Sequence, residues 1–292
     1  MTLPDNNKLI GIDLGGTKVN VGLIEGMKII DKKYQLIPAN SDSADEITNI
    51  LITLISELFD SSVKGIGIGI PSLVDRKNGI IHSVQNIPVW KNIHLADILE
   101  KQFNVPVYLD NDANCFALGE YRFGAGQDCE NFVGLTLGTG MGSGIITDGH
   151  LLKDANCGSG EFGSIPYLDS IYEDYCSGKF FKKFHNENGE SLLNKAKQGD
   201  ETAIKAFEEF GVHIGKAIKT IMFSVDPEKI IIGGSVAHSK EFFTKSLEKT
   251  LNNFPYPESV NNLEIIYTDT QDIAIFGAAS LYFDRTDELI AN

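Results

Sequence analysis

Apolar residues along the chain fall into short unbroken runs cut by glycine and longer stretches at helical spacing, the pattern of strands mixed with amphipathic helices. The first run, Lys8 to Leu14, is stopped by Gly15-Gly16. A second covers Thr17 to Ile24 and a third, after Gly26, Met27 to Leu36, so the chain is predicted to open as a β-meander with glycine turns. Ser43 and Glu46 form a capping box. Ile47, Ile50, Leu51, Leu54, Ile55 and Leu58 follow at helical spacing and predict a helix. Beyond it the pattern predicts a strand over 63–70 broken by Pro71, a helix over 95–103, a strand over 105–110 and a helix over 113–122.

The opening pattern then recurs. Ile10-Gly11-Ile12-Asp13-Leu14-Gly15-Gly16-Thr17 can be laid over Val133-Gly134-Leu135-Thr136-Leu137-Gly138-Thr139-Gly140, with Gly11 on Gly134, Leu14 on Leu137 and Gly15 on Gly138. A strand, a glycine turn and a second strand, twice, point to two related lobes. A chance match of glycine-rich hairpins is the alternative, because glycine punctuates turns everywhere. The second half is more helical: a long helix is predicted from Glu201 to Val225, ended by Asp226-Pro227. Gly211 and Gly215 inside it should weaken it unless something packs close. Lys229 to Ile232 reads as a short buried strand leading into Gly233-Gly234-Ser235. Strands alternating with helices plus a meander predict an α/β architecture with mixed sheets.

Charge narrows the partners. The 292 residues carry 25 Lys+Arg against 40 Asp+Glu, a net charge of −15. Such a surface repels nucleic acid, which is bound chiefly through basic residues on phosphate. Any phosphate ligand would have to rest on backbone N–H groups, helix N-termini and a divalent cation. No run approaches a membrane span and the N-terminus lacks a secretory pattern, so a cytoplasmic location is expected. Cys115, Cys129, Cys157 and Cys176 show no C-x-x-C spacing and read as free thiols. The 29 glycines, about 10% against a usual ~7%, gather in a few clusters.

Three of those clusters suit a nucleotide: Asp13 to Lys18, Leu137 to Gly144, and Ile232 to Ser235. None is a P-loop or a G-x-G-x-x-G after a strand, and the G-x-S-x-G and H-E-x-x-H motifs are missing. What remains is a pair of hairpins offering backbone N–H donors and hydroxyls, an arrangement for a triphosphate with a metal ion. Asp13, beside the first turn, is placed to orient hydrated Mg²⁺ or, alternatively, to cap that turn. Asp112 ends a strand where a helix begins, as a general base or as the helix N-cap, and Asp110 is a rival carboxylate.

DLGGTK at 13–18 resembles the first phosphate motif of the ROK family of sugar kinases and repressors, within the actin–hexokinase–Hsp70 superfamily. Gly67-Ile68-Gly69-Ile70-Pro71 with Val74-Asp75, Asn86 to Trp90, Asn111-Asp112-Ala113-Asn114 with Leu118-Gly119-Glu120, Thr136 to Gly144, Gly160-Glu161, Gly233-Gly234 and Phe276 to Ala279 continue the resemblance in order over nearly the whole chain. It implies a two-lobed actin-like ATPase (ribonuclease H-like) fold, with mixed β-sheets flanked by helices and a ligand cleft between the lobes. One lobe would comprise 1–112 plus 276–292, with the first phosphate loop and the sugar loops. The other would comprise 113–275, with the second phosphate loop and the adenosine site.

The implied activity is ATP- and Mg²⁺-dependent phosphorylation of a hexose, glucose by default, to its 6-phosphate, with Asp112 as the base. Asn86, Asn111, Asp112, Gly138 and Glu161 are the implied sugar ligands. Asp13 (through water to Mg²⁺), Gly15, Gly16, Thr17, Lys18, Thr139, Gly140, Gly233 and Gly234 are implied for ATP and its phosphates, with Phe276-Gly277 near the adenosine. Lys18 is as well read as solvent-facing. A homodimer is usual in similar proteins.

The chain departs from the family at one place. Ser164 stands where a zinc-binding histidine is expected, and the cysteine-rich loop that follows is gone, with Glu173 to Gly178 matching the segment beyond it. Serine and one cysteine cannot make a four-ligand site, so no zinc is expected and Cys176 reads as a buried helix thiol. The missing histidine also touches sugar in zinc-bearing relatives, which leaves fructose, mannose, N-acetylmannosamine and allose open beside glucose. Ser72 replaces the usual glycine after Pro71. The other readings are a non-catalytic sugar-binding or regulatory ROK protein, a sugar-sensing repressor, which the charge and the few residues before DLGGT disfavour, and an actin- or Hsp70-like ATPase.

Overall fold

The computed structural model describes residues 7–38, 43–84, 87–153 and 155–291. The chain divides into two compact units, one of 1–130, 146–159 and 270–292 and the other of 131–145 and 160–269. The first unit opens with β1 (Lys8–Leu14), β2 (Lys18–Glu25) and β3 (Lys28–Leu36), the expected meander. Helix α1 (Ala44–Leu58) follows, its N-cap Ser43 accepting from the backbone N–H of Asp45. Then come β4 (Val63–Ile70), β5 (Ser72–Asp75), β6 (Ile80–Val84), β7 (Ile87–Ile93), α2 (Leu95–Phe103), β8 (Val107–Asn111) and α3 (Asp112–Phe123).

The main sheet of this unit has the order β3-β2-β1-β4-β8, and β5, β6 and β7 form a separate antiparallel sheet. β1 pairs antiparallel with β2 but parallel with β4, and β4 parallel with β8. One face is apolar throughout: Ile10, Ile12, Leu14, Val19, Val21, Ile66 and Ile68 are buried with the inward stripe of α1 and with Trp90. The Trp90 indole N–H donates to the carbonyl of Ala44, fixing β7 to the start of α1.

In the second stretch of chain, β9 (Phe132–Leu137) and β10 (Met141–Thr147) form the second glycine hairpin, and β11 (His150–Leu151) pairs back on the end of β10. The short β12 (Pro166–Tyr167) and β13 (Ser170–Ile171) make a hairpin before α4 (Tyr172–Cys176), α5 (Lys179–His185), α6 (Gly189–Lys197) and α7 (Glu201–Val225). β14 (Lys229–Gly233), α8 (Lys240–Leu251), α9 (Pro257–Asn262) and β15 (Glu264–Tyr267) follow. The second sheet has the order β11-β10-β9-β14-β15, again a hairpin followed by parallel strands. The order mirrors that of the first sheet, so the glycine hairpin at Gly15 and that at Gly138 occupy equivalent places in two copies of one topology.

Gly211 and Gly215 keep their place in α7 because α8 packs on them. A Cβ at Gly211 would lie 2.3 Å from the Phe243 carbonyl oxygen, and one at Gly215 2.7 Å from Thr250. The last helix, α10 (Ile273–Ala291), returns to the first unit. It lies on the other face of the first sheet, where Gly11, Gly65 and Gly67 leave room for it. Helix α3 also packs on α10 and belongs with the first unit, which therefore runs on past the boundary expected at Asp112. Among the described residues no helix is long and apolar enough to cross a membrane.

Candidate active site

Within the first unit the strand register brings the candidate residues to one end of the sheet. Asp13 on β1 pairs across to Gly69 on β4, and Gly69 pairs across to Asp110 on β8. All three strands are parallel, so this row lies at their carboxyl ends, where open α/β sheets present ligand sites. Asp13 is half-buried and accepts from the side-chain amide of Asn20, its cross-strand partner, at 3.2 Å. Burial raises its pKa above the usual carboxylate value, partly offset by the Asn20 bond and the Lys18 charge. Gly15 closes the hairpin, its N–H donating to the Lys18 carbonyl at 2.9 Å. Gly16 is half-buried and Thr17 exposed at the turn. The Lys18 ammonium lies 4.5 Å from the centre of the Tyr34 ring, held on the sheet by a cation–π contact.

The two rival carboxylates have different surroundings. Asp110 is 1% exposed, and the Arg76 guanidinium Nε lies 3.0 and 3.2 Å from its two oxygens. Arg285 reaches it at 3.2 Å, and the Asn114 amide and the Asn111 N–H donate to it at 2.8 and 2.7 Å. Asp112 is half-buried at the first position of α3. The N-cap of that helix is Asn111: its Oδ1 accepts from the Ala113 N–H at 2.8 Å, an N–H that the Asp112 Oδ1 shares at 2.9 Å, and its Nδ2 donates to the Ser72 carbonyl at 3.2 Å. Asn86 lies outside the described residues.

In the second unit Gly138, Thr139 and Gly140 close the β9–β10 hairpin, the Gly138 N–H donating to the Gly140 carbonyl at 3.0 Å. Gly233 pairs across to Thr136, and Gly234 follows with φ +89°. A Cβ on Gly234 would stand 2.4 Å from the Leu137 carbonyl oxygen, so this turn rests directly on the hairpin backbone and admits only glycine. Glu161 follows Gly160, whose carbonyl accepts from the Ser143 hydroxyl and from the Phe162 N–H. The protein atoms around the Glu161 carboxyl, and then the Glu173 charge, raise its pKa.

Glu173 is a residue that the sequence reading missed. Its carboxylate accepts from the Met141 N–H at 3.1 Å, abuts Gly140 and pairs with Lys179. It thereby ties the second hairpin to α4 and adds a second carboxylate beside Glu161. Around it, Tyr167 stacks on Tyr172 with ring centres 4.3 Å apart, and its hydroxyl lies 3.0 Å from the Nδ1 of His213. Ser164 is exposed, while Cys176 is fully buried in α4 and its thiol pKa is pushed up by burial. Among the described residues no group of three or more His, Cys, Asp or Glu side chains is arranged to hold a metal ion.

Residues 9–285 match the sequence model of the ROK family. The chain belongs to the ROK family. A glucokinase from Thermotoga maritima is 31% identical to it over 95% of this chain and 98% of that protein. A xylose repressor from Caldicellulosiruptor bescii is 27% identical over 93% of this chain and 76% of its own. The crystal structure of a ROK family glucokinase from Streptomyces griseus, in complex with glucose and AMPPNP, aligns at a TM-score of 0.78 and 26% identity, covering 94% of this chain and 99% of that one. The fold is thus the actin-like α/β fold of ROK sugar kinases. In this ROK chain Phe276-Gly277 lies on α10, and a Cβ on Gly277 would stand 1.6 Å from the Cys115 carbonyl oxygen, so that glycine serves the packing of α3 on α10.

Proposed function

We propose that this ROK chain is an ATP-dependent sugar kinase that phosphorylates the 6-hydroxyl of a hexose, glucose being the first candidate. The observation that carries the reading is the division of labour between Asp110 and Asp112. The former is consumed by two arginines; the latter is half-buried at the mouth of the parallel strands. A sugar hydroxyl is a weak nucleophile, and a carboxylate positioned to accept its proton assists attack on a phosphoryl group. In this reading Asp112 takes that proton, while Asn86, Asn111, Gly138 and Glu161 orient the sugar. Glu173, close to Glu161, supplies a further acceptor for sugar hydroxyls.

The residues present fit a nucleotide with its metal. A desolvated carboxylate such as Asp13, its pKa raised by burial, is relieved by a nearby cation. When bound there through water, Mg²⁺ would neutralise charge on the phosphates. Gly15, Gly16, Thr17, Lys18, Thr139 and Gly140 would serve the phosphates with backbone and side-chain donors. The Gly233-Gly234 turn, which rests on the Leu137 backbone of the second hairpin, would serve the adenosine.

The Caldicellulosiruptor bescii relative is a repressor, which supports a second reading, sugar binding without turnover. One experiment separates the two: ADP release from Mg-ATP with glucose, fructose, mannose, N-acetylmannosamine and allose, with Asp112→Ala as control. Turnover on one sugar, reduced by about 10²–10⁴ in the variant, is the expected result. Thermal stabilisation by a sugar with no ADP release would favour the sensor instead. Undiminished turnover in Asp112→Ala would remove Asp112 from its role.

A further inference from the structure

We propose that Asp110 is the positioning residue for Asp112, holding the backbone that carries the base from both sides. The inference rests on the reading of Asp112 as general base and deepens it. A carboxylate 1% exposed to solvent is tolerated only when it is paired and its remaining lone pairs are satisfied, and where those partners come from decides what else it holds. Asp110 has partners from four separate places in the first unit. Arg76 comes from the turn after β5, Arg285 from α10, Asn114 from the first turn of α3, and the Asn111 N–H from the strand end itself. Arg76 also donates to the Leu152 carbonyl at 3.2 Å, so it is braced against a further segment.

Two of these bonds bracket Asp112 in sequence. The Asn111 N–H, one residue before it, and the Asn114 side chain, two residues after it, both end on the same oxygen, Oδ1 of Asp110. The direction in which α3 leaves β8, and with it the direction of the Asp112 side chain, is therefore set by one immobile acceptor. Misplacing a reacting group by about 1 Å can cost on the order of a hundredfold in rate. Loosening this acceptor should thus slow the chemical step more than it weakens ligand binding.

The test compares Asp110→Asn, Asn114→Ala and Asp112→Ala in ADP-release kinetics with whichever hexose of the panel supports turnover. Asn114→Ala keeps Asp110 paired with both arginines and with the Asn111 N–H, so it remains informative if Asp110→Asn fails to fold. The expected result is a kcat lower by about tenfold or more in Asp110→Asn and by several-fold in Asn114→Ala. KM for Mg-ATP should stay within about twofold of wild type, and any rise in KM for sugar, through the shared Asn111, should be smaller than the fall in kcat, the pattern of an interaction that matters chiefly to the chemical step. An unchanged kcat in Asn114→Ala, or a rise in KM at constant kcat, overturns the assignment while a dead Asp112→Ala keeps the base in place. Wild-type turnover by Asp112→Ala, or no turnover on any hexose, overturns the base reading and this inference with it.

Discussion

A Cβ placed on Gly67 would stand 1.7 Å from the carbonyl oxygen of Ala278, so β4 and α10 meet backbone to backbone. Neither partner can yield as a side-chain tip could, because both are main chain in regular elements. Gly67→Ala should therefore destabilise the protein by about 3 kcal/mol, the upper end of overpacking costs. Gly158→Ala, whose nearest neighbour would be 3.9 Å away, should stay within about 0.5 kcal/mol of wild type. Urea unfolding of the two variants measures both; equal midpoints would contradict the close approach of α10 to the sheet.

Asp13, the proposed metal-side carboxylate, is held at the expense of stability. Its pKa is raised first by burial, so the folded protein favours the protonated carboxyl more than the unfolded chain does. A group with a raised folded pKa contributes stability at low pH that is lost as pH rises through that value. Asp13→Asn keeps the neutral form at every pH. The variant should be more stable than wild type at pH 7, with the difference closing below pH 4, and it should bind Mg-ATP more weakly. Thermal unfolding across pH, with and without Mg-ATP, checks both halves; a variant less stable at pH 7 would refute the first.

Elements whose signals are local were legible in the sequence. The strand Val63–Ile70 and the helices Leu95–Phe103 and Glu201–Val225 run as their periodicity and stop signals predict, the last ending at Asp226 in the left-handed conformation. The repeat of the glycine hairpin was legible too, and the two sheets share one strand order. The residue pattern alone left Asp110 and Asp112 as rivals, and only the family resemblance favoured Asp112. Two carboxylates at one strand end look alike until arginines 34 and 175 positions away select one of them. Glu173 escaped for the same reason: its contact with the Met141 N–H joins residues 32 positions apart, and nothing beside it in sequence marks it. The sequence suited Lys18 to phosphate or to solvent on charge alone and could not show Tyr34 beneath it, which the pairing of β2 with β3 brings there.

Gly234 carries two constraints at once, a φ of +89° and a Leu137 carbonyl 2.4 Å from where a Cβ would sit. Gly234→Ala should therefore move the turn away from the β9–β10 hairpin, on which the nucleotide reading depends. The expected kinetic result is a KM for Mg-ATP raised by about tenfold or more, roughly 1.4 kcal/mol of lost binding, with the KM for sugar little changed. A variant that loses affinity for sugar and keeps it for Mg-ATP would assign this turn to the other ligand.

His213 should make the second unit sensitive to mild acid. Its ring is buried among Tyr167, Tyr175 and Phe180, and burial lowers its pKa below the ordinary 6.5 even though Glu209 pulls the other way. The folded state thus holds the neutral ring, with Nδ1 facing the Tyr167 hydroxyl at 3.0 Å. The unfolded chain takes up a proton below about pH 6.5 while the folded one does not, so the stability gained from the neutral ring is present above that pH and lost as pH falls through the folded pKa. Wild type should therefore lose more stability between pH 7.5 and 5.5 than His213→Gln, which has no proton to take up in this range. Parallel slopes of thermal midpoint against pH for the two proteins would show that His213 is not the group responsible. A steeper slope in the variant would mean that the ring is held protonated in the fold, reversing the sign of its contribution.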